Sequence, residues 1–179
     1  MTTFYTLLIL AGGQGRRMGG RDKGLVEVDG RPLVDRLLAA VTPAPGRIVI
    51  SANRNLQAYQ RRADTVVSDQ RPDYPGPMAG LEAALAVCNG PVLCLPCDLL
   101  APPPTMITEL LTGLPRDQIR VVEDSHGLQP LCMALHAQSW RASISAYLDN
   151  GGRSVRGWLQ DVPHQRVRIG ATLQNRNRL

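Results

Sequence analysis

The chain has 179 residues, 44% of them hydrophobic and 20% charged, a usage that excludes disordered and collagen-like architectures and can fill one core without staples. At this length one domain over residues 1–179 is expected, with little room for a second. The net charge of +5 favours an anionic ligand, but the seven aromatics do not interleave with basic residues, so no stacking platform for nucleic acid is expected.

The first strand is expected at Phe4–Leu10, a continuous apolar run. A long connection follows, and a helix is expected over Arg31–Ala40 with Pro32 near its start. Strands follow at Arg47–Ser51 and Thr65–Ser68. Met78, Leu81, Leu85 and Cys88 recur at helical spacing over Gly76–Cys88, with Pro77 in the first turn. Pro91–Leu95 reads as another buried strand, and a short helix runs from Pro102-Pro103-Pro104 to Leu111. Strands at Ile119–Val122 and Leu131–Leu135, helices at Ser139–Leu148 and Val155–Leu159, and a strand at Gln165–Ile169 complete the chain. Strands alternating with helices of this length imply right-handed crossovers and a mostly parallel sheet, a three-layer α/β/α sandwich.

No apolar run reaches the ~18–20 residues of a membrane span. The segment MTTFYTLLILAGG has no basic leader and its apolar stretch ends in glycines, so a cytoplasmic protein without a signal peptide is expected. The four cysteines (Cys88, Cys94, Cys97, Cys132) read as ordinary thiols. Cys94 and Cys97 form one C-x-x-C at the end of an apolar strand, where a redox motif would open a helix and a zinc site would want a second pair.

In open α/β sheets ligands bind outside the carboxyl ends of the strands, where strand order reverses. After the first strand comes LAGGQGRRMGGRDKG, with five glycines before Lys23, and Arg16, Arg17, Arg21 and Lys23 against Asp22 alone, a local net of +3. Glycines let backbone N–H groups curl around an oxyanion, and the cations supply charge-assisted donors, so a triphosphate is the natural guest. The bland reading is a basic surface loop. The stretch is no P-loop, because Lys23 is followed by Gly24, and no dinucleotide fingerprint, because Met18 stands where the third glycine belongs.

The second strand end, SANRN, offers Asn53 to a base or sugar edge, or equally as a helix cap. The third brings Asp69 ahead of a Gly76-Pro77 helix start, where a turn before a helix is nearly as good an explanation. The fourth, LPCD, puts Asp98 directly after a buried strand, suited to Mg²⁺ or to capping the helix that follows. Together the four ends favour a nucleotide site more than any one of them does.

The loop resembles the L-A-G-G-x-G-x-R-M-x(n)-K signature of nucleotidyltransferases. With SANRN, DYPGPMAGL, PCD, QPLCMAL and YLDNGGRSVRGWL, the chain is similar to the molybdenum cofactor guanylyltransferases of the MobA type from about Leu7 to Leu159. The resemblance implies a Rossmann-like nucleotidyltransferase fold and transfer of GMP from GTP to the terminal phosphate of molybdopterin or Mo-molybdopterin, releasing pyrophosphate, with Mg²⁺ as cofactor. It implies that Leu10, Ala11, Gly12 and Gly13 meet the nucleotide, that Arg17 and Lys23 hold the phosphates with Arg16 close by, that Asn53 and Asp69 help recognise the nucleotide, and that Asp98 binds the metal. Molybdoenzymes that receive the finished cofactor, or their chaperones, would be further partners. Asn175 and Asn177 stand where the family has asparagines lining its site, but the Thr-Pro-Glu helix start that follows there is missing here.

Such transfers depend on positioning and charge neutralisation, and a phosphate monoester with a second pKa of about 6 is already largely ionised at neutral pH. No general base is needed, and His126, His136 and His164 read as surface or packing residues. Three rivals are a pterin cytidylyltransferase, a sugar-phosphate nucleotidyltransferase and a non-catalytic nucleotide-binding adaptor. Gly12, where the cytidylyltransferases resemble L-A-A-G, leaves room for a purine; sugar-phosphate enzymes are usually longer; and an adaptor does not need the metal carboxylate. Arg153 and Arg156 fit an anionic pterin site or a solvated face equally.

Overall fold

The computed structural model describes residues 4–12, 22–72, 76–170 and 172–174. A seven-stranded sheet is formed by β1 (Thr6–Leu10), β4 (Arg47–Ser51), β5 (Thr65–Val67), β6 (Pro91–Pro96), β7 (Ile119–Asp124), β8 (Gly127–His136) and β9 (His164–Arg168). Its order is β5-β4-β1-β6-β8-β7-β9, and only β8 runs antiparallel to its neighbours. The chain leaves β1 towards β4 and β5, then crosses back to β6 on the other side of β1. The strand order therefore reverses at β1, and the crevice expected of such sheets opens outside its carboxyl end.

The apolar run of β1 is buried on both faces, and its period of two assigns each residue to a layer. Leu7 and Ile9 join a core with Val34, Leu37, Tyr59, Met106 and Leu110, from α1 (Leu33–Ala40), α2 (Leu56–Gln60) and α4 (Pro104–Leu111). Leu8 and Leu10 join the opposite core with Met78, Leu81, Leu85, Ile144 and Trp158, from α3 (Pro77–Val87), α5 (Ala137–Asp149) and α6 (Val155–Gln160). This is the expected three-layer α/β/α sandwich.

Local departures have local causes. Arg31-Pro32 is not helix but β3, paired antiparallel with β2 (Glu27–Val28). The two-residue turn between them, Asp29 (φ 52°) and Gly30 (φ 71°), has the positive φ values of a primed hairpin turn, so α1 begins after Pro32. The strand expected from Leu131 begins at Gly127, with a register shift in its pairing beside Val121/Val122. Pro77 occupies the first turn of α3 as expected, and Arg47 and Arg141 donate to carbonyls at that helix's carboxyl end: Val87 at 2.8 Å, and Leu85 and Cys88 at 2.7 and 2.6 Å.

Candidate active site

Backbone hydrogen bonds carry the parallel pairing one residue past the strand ends. Ala11 N donates to Ser51 O (2.9 Å), Ala52 N to Val67 O (2.9 Å) and Cys97 N to Leu10 O (3.2 Å). Leu10, Ala11 and Gly12 thus emerge from β1 between the segments that carry Asn53 and Asp98. A Cβ at Gly12 would lie 3.4 Å from Asn53 Nδ2, so the glycine leaves a hollow over that amide.

Asn53 and Asp69 are joined reciprocally. Asn53 Nδ2 donates to Asp69 Oδ2 and Asp69 N donates to Asn53 Oδ1, both at 2.9 Å. The residue at the amino end of α2 is Asn55, not Asn53, and neither side chain caps that helix. Burial holds the Asp69 carboxyl above the usual carboxylate range, with the Asn53 hydrogen bond acting against it. Its Oδ1 and the hydroxyl of fully buried Ser51 have no partner among the described residues. Both lie under Gly80, where a Cβ would be 2.5 Å from Ser51 Oγ and 3.5 Å from Asp69 Oδ1, so only glycine lets α3 approach this closely. Two residues on, Arg71 binds Glu82 (2.7 Å) and Asp149 (2.7 Å), tying the segment after Asp69 to α3 and α5.

Asp98 follows β6 and is 5% exposed. It caps no helix, because α4 starts after Pro103. Its Oδ2 is 2.5 Å from Lys23 Nζ. The lysine stands in a 3-10 turn, Lys23–Leu25, at the exit of the glycine- and arginine-rich loop. Lys23 and Asp98 are therefore brought together, and a cationic group already sits on the carboxylate proposed to hold a metal. Gly13, Arg16 and Arg17 lie outside the described residues, as do Asn175 and Asn177.

Sequence reasoning passed over Asp22, Asn55 and Tyr59. Tyr59 Oη donates to Asp22 Oδ1 (2.5 Å) and Asn55 Nδ2 to Asp22 Oδ2 (3.0 Å). Burial and the Asp22 carboxylate push the Tyr59 phenol far above its ordinary value, so it stays a donor. A Cβ at Gly24 would lie 2.5 Å from Tyr59 Oη and 3.4 Å from Cys97 Cβ. All four cysteines are buried, and burial beside Asp98 raises the Cys97 thiol to about 12, far from a nucleophile.

Other motifs have structural duties. Tyr147 donates to Ser154 O (3.1 Å) and lies against Gly152 and Gly157, while Gly151 adopts φ 82°, which accounts for the three glycines of the YLDNGGRSVRGWL segment. Arg156 donates to Leu128 O (2.9 Å), and the Arg153 carbonyl lies beside Gly76 at the start of α3. Gln129 of QPLCMAL donates to Asp124 (2.8 Å). His136 is buried with Nε2 3.1 Å from Leu114 O, and His164 Nδ1 is 3.2 Å from Val162 O, consistent with packing roles.

A sheet that reverses at β1, with a lysine and a carboxylate paired at its carboxyl edge, has the form of the Rossmann-like nucleotidyltransferases. A protein from Archaeoglobus fulgidus described as molybdopterin-guanine dinucleotide biosynthesis protein A superposes with a TM-score of 0.72 at 20% identity, covering 92% of this chain and 83% of that one. The MobA-like NTP transferase domain matches residues 7–166, and the chain belongs to that family. A molybdenum cofactor guanylyltransferase from Shewanella halifaxensis is 38% identical over 161 residues, 88% of this chain and 80% of that one. One from Ralstonia nicotianae is 36% identical over 178 residues, 93% of this chain and 87% of that one. Among the described residues no helix is long and apolar enough to cross a membrane.

Proposed function

We propose that the chain, as one catalytic unit in the cytoplasm, transfers GMP from GTP to the terminal phosphate of molybdopterin or Mo-molybdopterin. The observation that carries this reading is the Lys23–Asp98 pair, set at the carboxyl edge of β1 and β6 in a chain so similar to molybdenum cofactor guanylyltransferases. An oxygen of the acceptor phosphate attacks the α-phosphorus of GTP. The new P–O bond forms as the bond to the α–β bridging oxygen breaks, and pyrophosphate leaves. The acceptor is already largely ionised, with a second pKa of about 6, so no side chain need take a proton.

Asn53 and Asp69 would hold the nucleoside beside Gly12, and Lys23 would stabilise charge moving onto the departing pyrophosphate. The buried Asp98 carboxylate fits a divalent cation, since it already carries an ammonium group, and Lys23 would pass from Asp98 to the phosphates. Bound there, Mg²⁺ would neutralise phosphate charge. Gly13, Arg16 and Arg17 are proposed as further phosphate and backbone contacts, on sequence grounds alone. Molybdoenzymes or their chaperones would receive the product.

The test is pyrophosphate release with molybdopterin and Mg²⁺, run in parallel with GTP, CTP and dTTP. GTP is expected to be preferred. A preference for CTP would make the chain a cytidylyltransferase, and nucleotide binding without pyrophosphate release would make it an adaptor.

A further inference from the structure

For Lys23 to serve first Asp98 and then a phosphate, its flexible side chain has to swing from a backbone that stays fixed. The turn that carries it is short, and its backbone is closed by Leu25 N to Asp22 O (3.1 Å) and Val26 N to Lys23 O (3.2 Å). What fixes this turn comes from elsewhere in the chain. Both oxygens of Asp22 are held from the segment after β4, one by the Tyr59 hydroxyl and one by the Asn55 amide. Asn55 adopts φ 51°, and its side chain turns to Asp22 rather than capping α2. On the other side of the lysine, Gly24 is buried between Tyr59 and Cys97, with no room for a Cβ. The residues flanking Lys23 are thus seated on Tyr59, whose ring is fully buried in the core.

We propose that Asp22, Asn55 and Tyr59 form a positioning clamp that fixes the turn carrying Lys23. Asn53 reaches Asp69 while Asn55, two residues on, reaches Asp22. The clamp therefore holds the lysine turn through contacts separate from the Asn53–Asp69 pair. None of the three residues touches a reacting atom, and the clamp acts only through Lys23. The proposal rests on the GTP reading above.

The discriminating experiment is calorimetry of GTP and of guanosine against the wild type, Tyr59→Phe, Asn55→Ala, Lys23→Ala and the Lys23→Ala/Tyr59→Phe double variant. Tyr59→Phe keeps the ring and removes only the hydroxyl; exposed Asn55→Ala serves as the second single variant should the first not fold. GTP affinity is expected to fall about tenfold in each clamp variant, the loss of one charge-assisted hydrogen bond, while guanosine affinity stays unchanged. Adding Tyr59→Phe to Lys23→Ala should cost nothing further, because both act on the same contact. An equal loss for guanosine, or full additivity with Lys23→Ala, would reduce the clamp to a fold element and overturn the proposal, as would unchanged GTP affinity in both single variants. A wild type that binds no GTP would instead overturn the nucleotide reading on which the clamp depends.

Discussion

Lys23 Nζ lies 2.5 Å from Asp98 Oδ2, joining the exit of the first loop to the turn after β6, and the two partners differ in solvation. The side chain of Lys23 is 23% exposed and that of Asp98 only 7%. Removing one partner of a buried pair strands the other, at a cost of about 3–5 kcal/mol when burial is complete, and less when water can reach it. Asp98→Ala should therefore abolish GMP transfer with little change in melting temperature. Lys23→Ala should weaken GTP binding and also lower the melting temperature, because the carboxylate left behind is the buried partner. Mg²⁺ or Mn²⁺ should restore part of that loss by replacing the ammonium. A melting temperature of Lys23→Ala indifferent to divalent cation would remove Asp98 from the metal role.

The convergence of Lys23 and Asp98 was legible because Asp98 follows an unbroken apolar run and Lys23 closes the glycine- and arginine-rich loop that follows another. The hairpin at Asp29-Gly30 was legible in principle, since Asp-Gly is a strong hairpin signal, but Pro32 and the helical spacing after it drew Arg31 into α1. The clamp was not legible. Asp22 enters a charge count only as a subtraction from its basic neighbours. Tyr59 lies in a helix five residues long for which the sequence reading held no expectation, and the hydrogen bond that gives it meaning spans 37 positions. A hydrogen bond at that separation is fixed by the packing of α2 on the sheet, which no local pattern encodes.

Gly12 offers a test of base selection. A Cβ there would meet Asn53 Nδ2 at 3.4 Å, Ser51 O at 3.8 Å and Ser51 Oγ at 3.9 Å, all ordinary contacts. Gly12→Ala should fold normally while filling the hollow over Asn53. The larger base should suffer more, and the ratio of kcat/KM for GTP over CTP is expected to fall about tenfold, the scale of one methyl group in a pocket. An unchanged ratio would move base discrimination away from position 12.

Asp69 offers a test of whether a buried charge is kept at a cost in stability. Its carboxyl is held above the usual range by burial, so ionising it costs the folded state more than the unfolded chain. That cost is absent below the unfolded pKa of about 3.9, grows as pH rises towards the folded value, and is full above it. Asp69→Asn keeps an oxygen for the Asn53 amide and removes the charge. The variant should melt higher than wild type at pH 7, lose that advantage as pH falls below about 4, and bind GTP more weakly. Equal melting temperatures across the whole range would show that the buried charge costs nothing.

Asp124 ties the end of the described chain to the site. Its Oδ1 accepts from His126 N (2.9 Å) and Gln129 Nε2 (2.8 Å), and its Oδ2 from Leu173 N (3.0 Å). Leu173 is 3% exposed, and Gln174 O accepts from Leu100 N (3.0 Å), two residues past Asp98. The segment after β9 therefore returns to the very turn that carries Asp98. Burial alone would raise the Asp124 carboxyl, but the hydrogen bonds from Gln129, His126 and Leu173 outweigh it and hold it below the usual range. A depressed carboxyl contributes stability that is present above the unfolded pKa, about 3.9, and is lost as pH falls through the lower, folded value. Asp124→Ala should remove that acid-sensitive part of the melting curve and, at pH 7, let the Leu173 amide exchange with solvent about tenfold faster, the effect of one lost charged hydrogen bond on local opening. Its kcat/KM for GTP should fall with it, because the Asp98 turn loses its brace at Leu100. Exchange at the wild-type rate would mean that the apolar burial of Leu173 suffices to dock the segment, and that the carboxylate does not govern it.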